Sequence, residues 1–170
     1  MFTEFQVSNI KHLSFEVDKN TIKQKPPGLW FALGDEWLQH LKKTNFLLNK
    51  YNYVYELELD MSKMIVVNTM KDLQNFSSEY GVLRKDTSVV DIDWNMVITR
   101  TKKQGLIVPH NFKKSHRKYS YFNKITNVFH DLEWYLSWDI ASGVIWNSSA
   151  IKNINMIYRK EQGKFVPYKK

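Results

Sequence analysis

No cysteine occurs among the 170 residues, which excludes disulfides and thiolate metal sites and fits a reducing compartment. Long apolar runs are missing as well: nowhere do about eighteen apolar residues follow one another, the length a membrane-spanning helix needs. The opening residues MFTEFQVSNIKHL lack a basic start followed by an apolar stretch, so no secretory signal is read there and a soluble, cytoplasmic protein is expected. HExxH, a Walker-type glycine loop, a GxSxG elbow and GxGxxG after a strand are all absent, and with them the common hydrolase and nucleoside-triphosphate signatures. The five histidines, His12, His40, His110, His116 and His130, show no metal-ligand spacing, so no metal is expected. There is no internal repeat, low-complexity tract or inter-domain linker.

At 43% hydrophobic content, a chain of this length can bury a core without covalent staples, and residues 1–170 are expected to form a single globular domain. A formal net charge of +8 points to polyanionic partners: nucleotides, nucleic acid or an acidic protein. The basic groups concentrate in the segment of about 110–124. Lys113, Lys114, His116, Arg117 and Lys118 are flanked there by Phe112, Tyr119, Tyr121 and Phe122. Such interleaving suits phosphate contact combined with base stacking, and equally a solvated, mobile loop.

Periodicity predicts an α+β fold, with a mixed, mainly antiparallel sheet and short flanking helices. Strands are expected at Ile10–Val17, Leu29–Leu33, Met64–Val67, Leu106–Val108 and Gly143–Trp146. Tyr51–Leu59 alternates Tyr53, Tyr55, Leu57 and Leu59 against Val54, Glu56 and Glu58, a strand with one wetter face. Helices are expected at Asp35–Lys43 with Trp37, Leu38 and Leu41 inward, and at Thr69–Tyr80 behind a Thr69–Asp72 capping box. A third is expected from Asp93 with Trp94, Val97, Ile98 and Thr101 on one face. Thr87–Asp91 reads as connection and Val128–Leu136 as helical. Ser148 or Ser149 is expected to cap a last short helix, and Ile157–Tyr168 to form a hairpin around Gln162 and Gly163.

The stretch KPPGLWFALGDEWL, Lys25–Leu38, carries a stiff Pro-Gly turn into an aromatic strand and straight on into a helix. Gly28 permits positive φ or a close approach, so a ligand cleft is expected there. His12, beside Ser14, interrupts an apolar strand and needs a cleft or a partner.

The order of a His12-bearing strand, GLWFALGDEW, YVYELELD, GLIVPH and SGVIWNSSAIKNI resembles the ADP-ribosyltransferase fold, in particular small bacterial and phage domains. The resemblance spans most of the chain as an order of elements. It implies NAD as the bound cofactor, with His12 holding a ribose, Ser14 beside it, Gly28 admitting the nicotinamide amide, and Trp30 or Phe31 stacking on the ring. On a central strand, Trp30 and Phe31 would also serve as core aromatics. Where the family carries a Glu or Gln near the nicotinamide ribose, this chain has Ala141, Ser142 and Gly143. Asp139, or Glu133, would supply the missing carboxylate if the preceding loop folds back.

The implied activity is transfer of ADP-ribose to a macromolecule. Two alternatives stand beside it. One is a non-catalytic phage or viral accessory protein binding a host protein or a nucleotide ligand, with Trp134, Tyr135 and Trp138 as its surface. The other is a nucleic-acid-binding domain that uses Lys113, Lys114, Arg117 and Lys118.

Overall fold

A computed structural model describes residues 2–4, 22–44, 52–85, 89–112 and 132–168. In chain order these form β1 (Phe2–Glu4), β2 (Ile22–Lys23), β3 (Leu29–Ala32), α1 (Glu36–Thr44), β4 (Tyr53–Leu59), β5 (Met64–Val66) and α2 (Met70–Tyr80). They continue as β6 (Gly81–Leu83), β7 (Val90–Asp93), α3 (Trp94–Thr101), β8 (Gly105–Val108), β9 (Ser142–Ile145), β10 (Ile151–Glu161) and β11 (Lys164–Pro167). Single 3-10 turns cover Met61–Lys63, Glu133–Ser137 and Ser148–Ala150. The chain is thus mixed α+β with few, short helices.

Eight strands form one sheet in the order β11-β10-β4-β1-β3-β9-β8-β5, and β2-β7-β6 form a smaller one. Every pairing is antiparallel except β5 with β8. Successive residues of a strand face opposite sides of a sheet, and the larger sheet uses both. Leu106, Val108, Val144 and Trp146 join an aromatic cluster with Phe76, Tyr80, Trp94, Trp134, Tyr135 and Trp138. Their neighbours Ile107 and Ile145 join Leu29, Phe31, Tyr55, Leu57, Leu59 and Met64 in a mostly aliphatic cluster on the other side. Helices α2 and α3, β7 and the Glu133–Ser137 turn contribute to the aromatic layer, while the aliphatic one is filled almost wholly by strands of the larger sheet.

Local chemistry accounts for the helix ends. Thr69 Oγ1 accepts the Asp72 backbone N–H at 3.1 Å, and Asp72 Oδ2 accepts that of Thr69 at 2.8 Å, the reciprocal bonds of the expected capping box. Hydrogen bonds to its carboxylate, from the Thr69 hydroxyl first and the Thr69 backbone N–H second, hold the Asp72 carboxyl below the usual carboxylate range. Asp93 caps α3 through Oδ1 to the Met96 N–H at 2.9 Å, as its position predicts.

The strand expected at Ile10–Val17 lies outside the described residues; among those described, β1 at Phe2–Glu4 comes first. Several other expectations need correction. Val90 and Asp91, read as connection, belong to β7; Val90 is buried, Ile92 joins the aromatic layer, and Asp91 is held by a two-pronged bond from Arg84 at 2.8 and 2.9 Å. The helix expected over Val128–Leu136 is, in its described part, the 3-10 turn Glu133–Ser137. Asn147, not a serine, caps the turn Ser148–Ala150, because its side chain accepts the Ser149 N–H. That turn ends at once in β10, which starts well before the expected hairpin strand. Within β4, Val54 is buried and Tyr53 exposed, the reverse of the alternation, since Val54 lies mid-sheet between β1 and β10 and Tyr53 is the first residue of the strand.

Candidate functional site

β3 and β9 pair antiparallel with Leu29 opposite Ile145 and Ala32 opposite Ser142. The end of β3 and the start of β9 therefore meet, and α1 leaves the same place that the Ser137–Ala141 segment enters. Two bonds tie these connections together: Leu33 N–H to Ala141 O at 3.2 Å, and Ala141 N–H to Glu36 Oε2 at 3.0 Å. Asn111 Nδ2 donates to Asp139 O at 2.9 Å and fixes the segment from the other side.

Between them lies a cavity of about 180 Å³ bordered by Lys25, Trp30, Phe31, Ala32, Trp37, Ser137, Trp138, Asp139, Ile140 and Ser142. Trp30 meets Trp138 edge to face, with ring centroids 4.7 Å apart and planes at 69°. The Lys25 ammonium stands 5.2 Å from the Trp30 ring centroid, within cation–π range. Nε1 of Trp37 and Nε1 of Trp138 are buried without a hydrogen-bond partner. Each such N–H carries a desolvation penalty of about 1–3 kcal/mol. An aromatic, mainly apolar wall with a cation and a carboxylate at its border suits a flat ring attached to a charged remainder. The volume falls below the roughly 300–1,000 Å³ that encloses a drug-sized ligand, so one ring fits and the rest of a larger molecule would run outside.

No protein-family model, curated protein or solved structure matches the chain.

Of the residues singled out from sequence, Trp30, Phe31 and Asp139 come together at this cavity. Phe31 borders it from the strand while its ring belongs to the opposite, aliphatic layer, packed over Gly143, where a Cβ would fall 2.3 Å from Phe31 Cζ. Of the two aromatics expected to stack, Phe31 thus has its ring in the aliphatic core, while Trp30 meets Trp138 at the cavity. Gly28 does not border the cavity. Its φ of +146° and a hypothetical Cβ 2.5 Å from Ile145 O make it a packing glycine against β9. Asp139 is exposed, and Glu133, on the 3-10 turn that also carries Ser137, does not itself border the cavity. His12, Ser14, Lys113, Lys114, Arg117 and Lys118 lie outside the described residues.

The alternative protein-binding surface is corrected outright: Trp134, Tyr135 and Trp138 are no more than 1% exposed. Trp134 Nε1 donates to Ser77 Oγ at 3.0 Å, and Tyr135 Oη donates to His110 O at 3.1 Å while accepting the Phe112 N–H at 3.2 Å. Burial, the larger cause, pushes the Tyr135 hydroxyl pKa above its ordinary value. Lys25, Glu36 and Trp37 were missed as site residues, although all three fall inside the turn-strand-helix stretch that first suggested a cleft. Among the described residues no helix is long and apolar enough to cross a membrane, and no group of three His, Asp or Glu is placed to hold a metal ion.

Proposed function

We propose that this protein binds NAD with its nicotinamide ring in the Trp30–Trp138 cavity and acts as an ADP-ribosyltransferase. The observation that supports this most is that Trp30 and Asp139, assigned from the family resemblance and drawn from opposite halves of the chain, border one cavity. The residues present fit the ligand. Trp30 and Trp138 offer ring surfaces, and Lys25 offers a cation for a phosphate.

When bound, NAD would supply the ADP-ribosyl group: its bond to nicotinamide would break with the electron pair leaving on nicotinamide, and a nucleophile of the acceptor macromolecule would form the new bond to the same ribose carbon. Asp139 is the carboxylate available to stabilise positive charge developing on the ribose, a role that requires negative charge within hydrogen-bonding reach. Glu36 positions the Asp139 segment through its bond to the Ala141 N–H. Trp30 orients the ring and excludes water from the cavity floor.

Binding without transfer is the second reading, favoured by one specific observation: β9, at Ser142–Ile145, carries no carboxylate. Isothermal titration with NAD and ADP-ribose, with nicotinamide release followed in the same samples, separates the two. Trp30→Ala is expected to abolish NAD binding. Asp139→Asn is expected to retain binding and to lower release by about a hundredfold or more, the scale for losing one charge-stabilising group. Release unchanged in Asp139→Asn would reject the carboxylate's role, and no binding of NAD by the wild type would reject the site.

A further inference from the structure

Four rings at one margin of the larger sheet belong to neither core. Among the described residues, the aromatic and aliphatic layers both leave out Tyr53, Tyr158, Phe165 and Tyr168. Tyr53 is 39% exposed, and the other three are half-buried. They lie on β4, β10 and β11 or just past them, with β11 as the last strand of the sheet. Rings left partly in water together, with charged groups around them, mark a surface that has something to bind.

Strand register sorts these side chains onto faces. Arg159 stands opposite Tyr53 of β4 on one side and Val166 of β11 on the other, so the three share a face. Lys164 and Tyr168, two residues to either side of Val166, return to it. The Arg159 guanidinium carbon lies 5.8 Å from the Tyr168 ring centroid, within cation–π range. Tyrosine, arginine and tyrosine thus form a row across three strands, with exposed Lys164 beside them. Glu161 is the one carboxylate between Tyr158 and Tyr168. It pairs with Arg159, but both side chains are about half exposed, and such a surface pair yields readily to another anion. Lys169 and Lys170 follow next in the sequence.

Exposed rings offer stacking to other rings, and cations offer contacts to phosphates. Nucleic acid presents a ring and a phosphate at every residue. In a duplex the base faces are covered by one another, whereas in a single strand they are open to aromatic side chains and to the flat guanidinium of arginine. We propose that the face carrying Tyr53, Arg159, Lys164 and Tyr168 binds single-stranded nucleic acid. Tyr53, Arg159 and Tyr168 stack on bases, and Lys164 contacts a phosphate. None of these residues borders the Trp30–Trp138 cavity, so the surface stands whether or not that cavity takes NAD.

The probe is fluorescein-labelled oligothymidylate, set against a duplex of equal length and followed by fluorescence anisotropy with the full-length protein across a salt series. Wild-type protein is expected to bind the single strand at least tenfold more tightly than the duplex. Tyr53→Ala and Tyr168→Ala should each weaken single-strand binding about fivefold or more, the loss of one base stack. Lys164→Ala should lower the slope of log affinity against log salt by about 0.7, the loss of one phosphate contact. No binding of oligothymidylate by wild type overturns the proposal, as does a duplex bound equally well or an affinity unchanged in both tyrosine variants. Should those variants fail to fold, Lys164→Glu at the exposed hairpin decides, and an unchanged affinity and salt slope there overturns it too. Binding to phosphatidylglycerol vesicles without binding to oligothymidylate would assign the face to lipid and reject nucleic acid.

Discussion

The two faces of the eight-stranded sheet are built on different terms. The aliphatic layer draws Leu29, Leu57, Leu59, Ile107 and Ile145 from strands of one sheet, and these residues need only shape and distance from water. The aromatic layer gathers Phe76, Trp94, Trp134, Tyr135 and Trp138 from two helices and a 3-10 turn, and most of these rings bring a polar atom that must be satisfied. Trp134 and Tyr135 are satisfied within the protein. Trp138 is not, and it stands where that layer opens into the cavity. An aliphatic layer asks only for packing; the aromatic layer asks for packing and for a partner at each polar atom, and at Trp138 Nε1 it leaves that second demand unmet.

Trp134→Ala should break the aromatic layer most severely. Its ring centroid lies within 6 Å of those of Phe76, Trp94, Tyr135 and Trp138, and its loss also removes the Nε1 bond to Ser77 Oγ. We expect a loss of about 3–5 kcal/mol in urea unfolding. Gly143→Ala probes the other face, since the added methyl would meet the Phe31 ring and Leu106 O, the latter at 2.7 Å. A cost of about 1–3 kcal/mol is expected, and a neutral outcome would mean that the sheet yields more readily than the packing implies.

Tyr135→Phe keeps the ring and removes a hydroxyl that bridges His110 O and the Phe112 N–H. About 1–3 kcal/mol should be lost near neutral pH. The folded pKa of Tyr135 is raised, so its contribution is complete below the unfolded value of about 10 and is lost as pH rises toward the folded one. The variant should therefore show a shallower fall in stability above that pH, read from melting temperatures across an alkaline series.

Thr69→Ala, at the edge of the aromatic layer, removes half of the capping box and should cost about 1 kcal/mol. Asp72 has a lowered folded pKa, so its contribution is present above its unfolded value and is lost as pH falls through the folded one. Asp72→Asn should flatten the acid limb of the stability profile. Unchanged acid sensitivity would assign that limb to other carboxylates.

The aliphatic layer was largely legible in the sequence because period-two alternation is local: the strands at Leu29, Met64, Leu106 and Gly143 appear within a residue or two of their expected bounds. So were α2 and α3, whose caps are written in adjacent residues. β6 and β7 were not, because strands of three and four residues carry too little pattern to outweigh the connection signals around them. For the site, Trp30 and Asp139 were reached through resemblance, whereas Trp37 and Glu36 were not. Whether a helix residue borders a cavity depends on the segment that packs opposite it, here Ser137–Ala141, and no local pattern reports that.

The clasp from Glu36 to the Ala141 N–H joins residues 105 positions apart. On the ribosome, β3 and α1 emerge long before the strand that completes them, and for most of synthesis β3 presents a bare edge. Closing so long a loop delays the central pairing of the sheet until the C-terminal third has been made. A truncated product released before β9 would therefore leave Trp30 and Phe31 on a strand with one bare edge, a ready template for aggregation and an early target for cellular quality control.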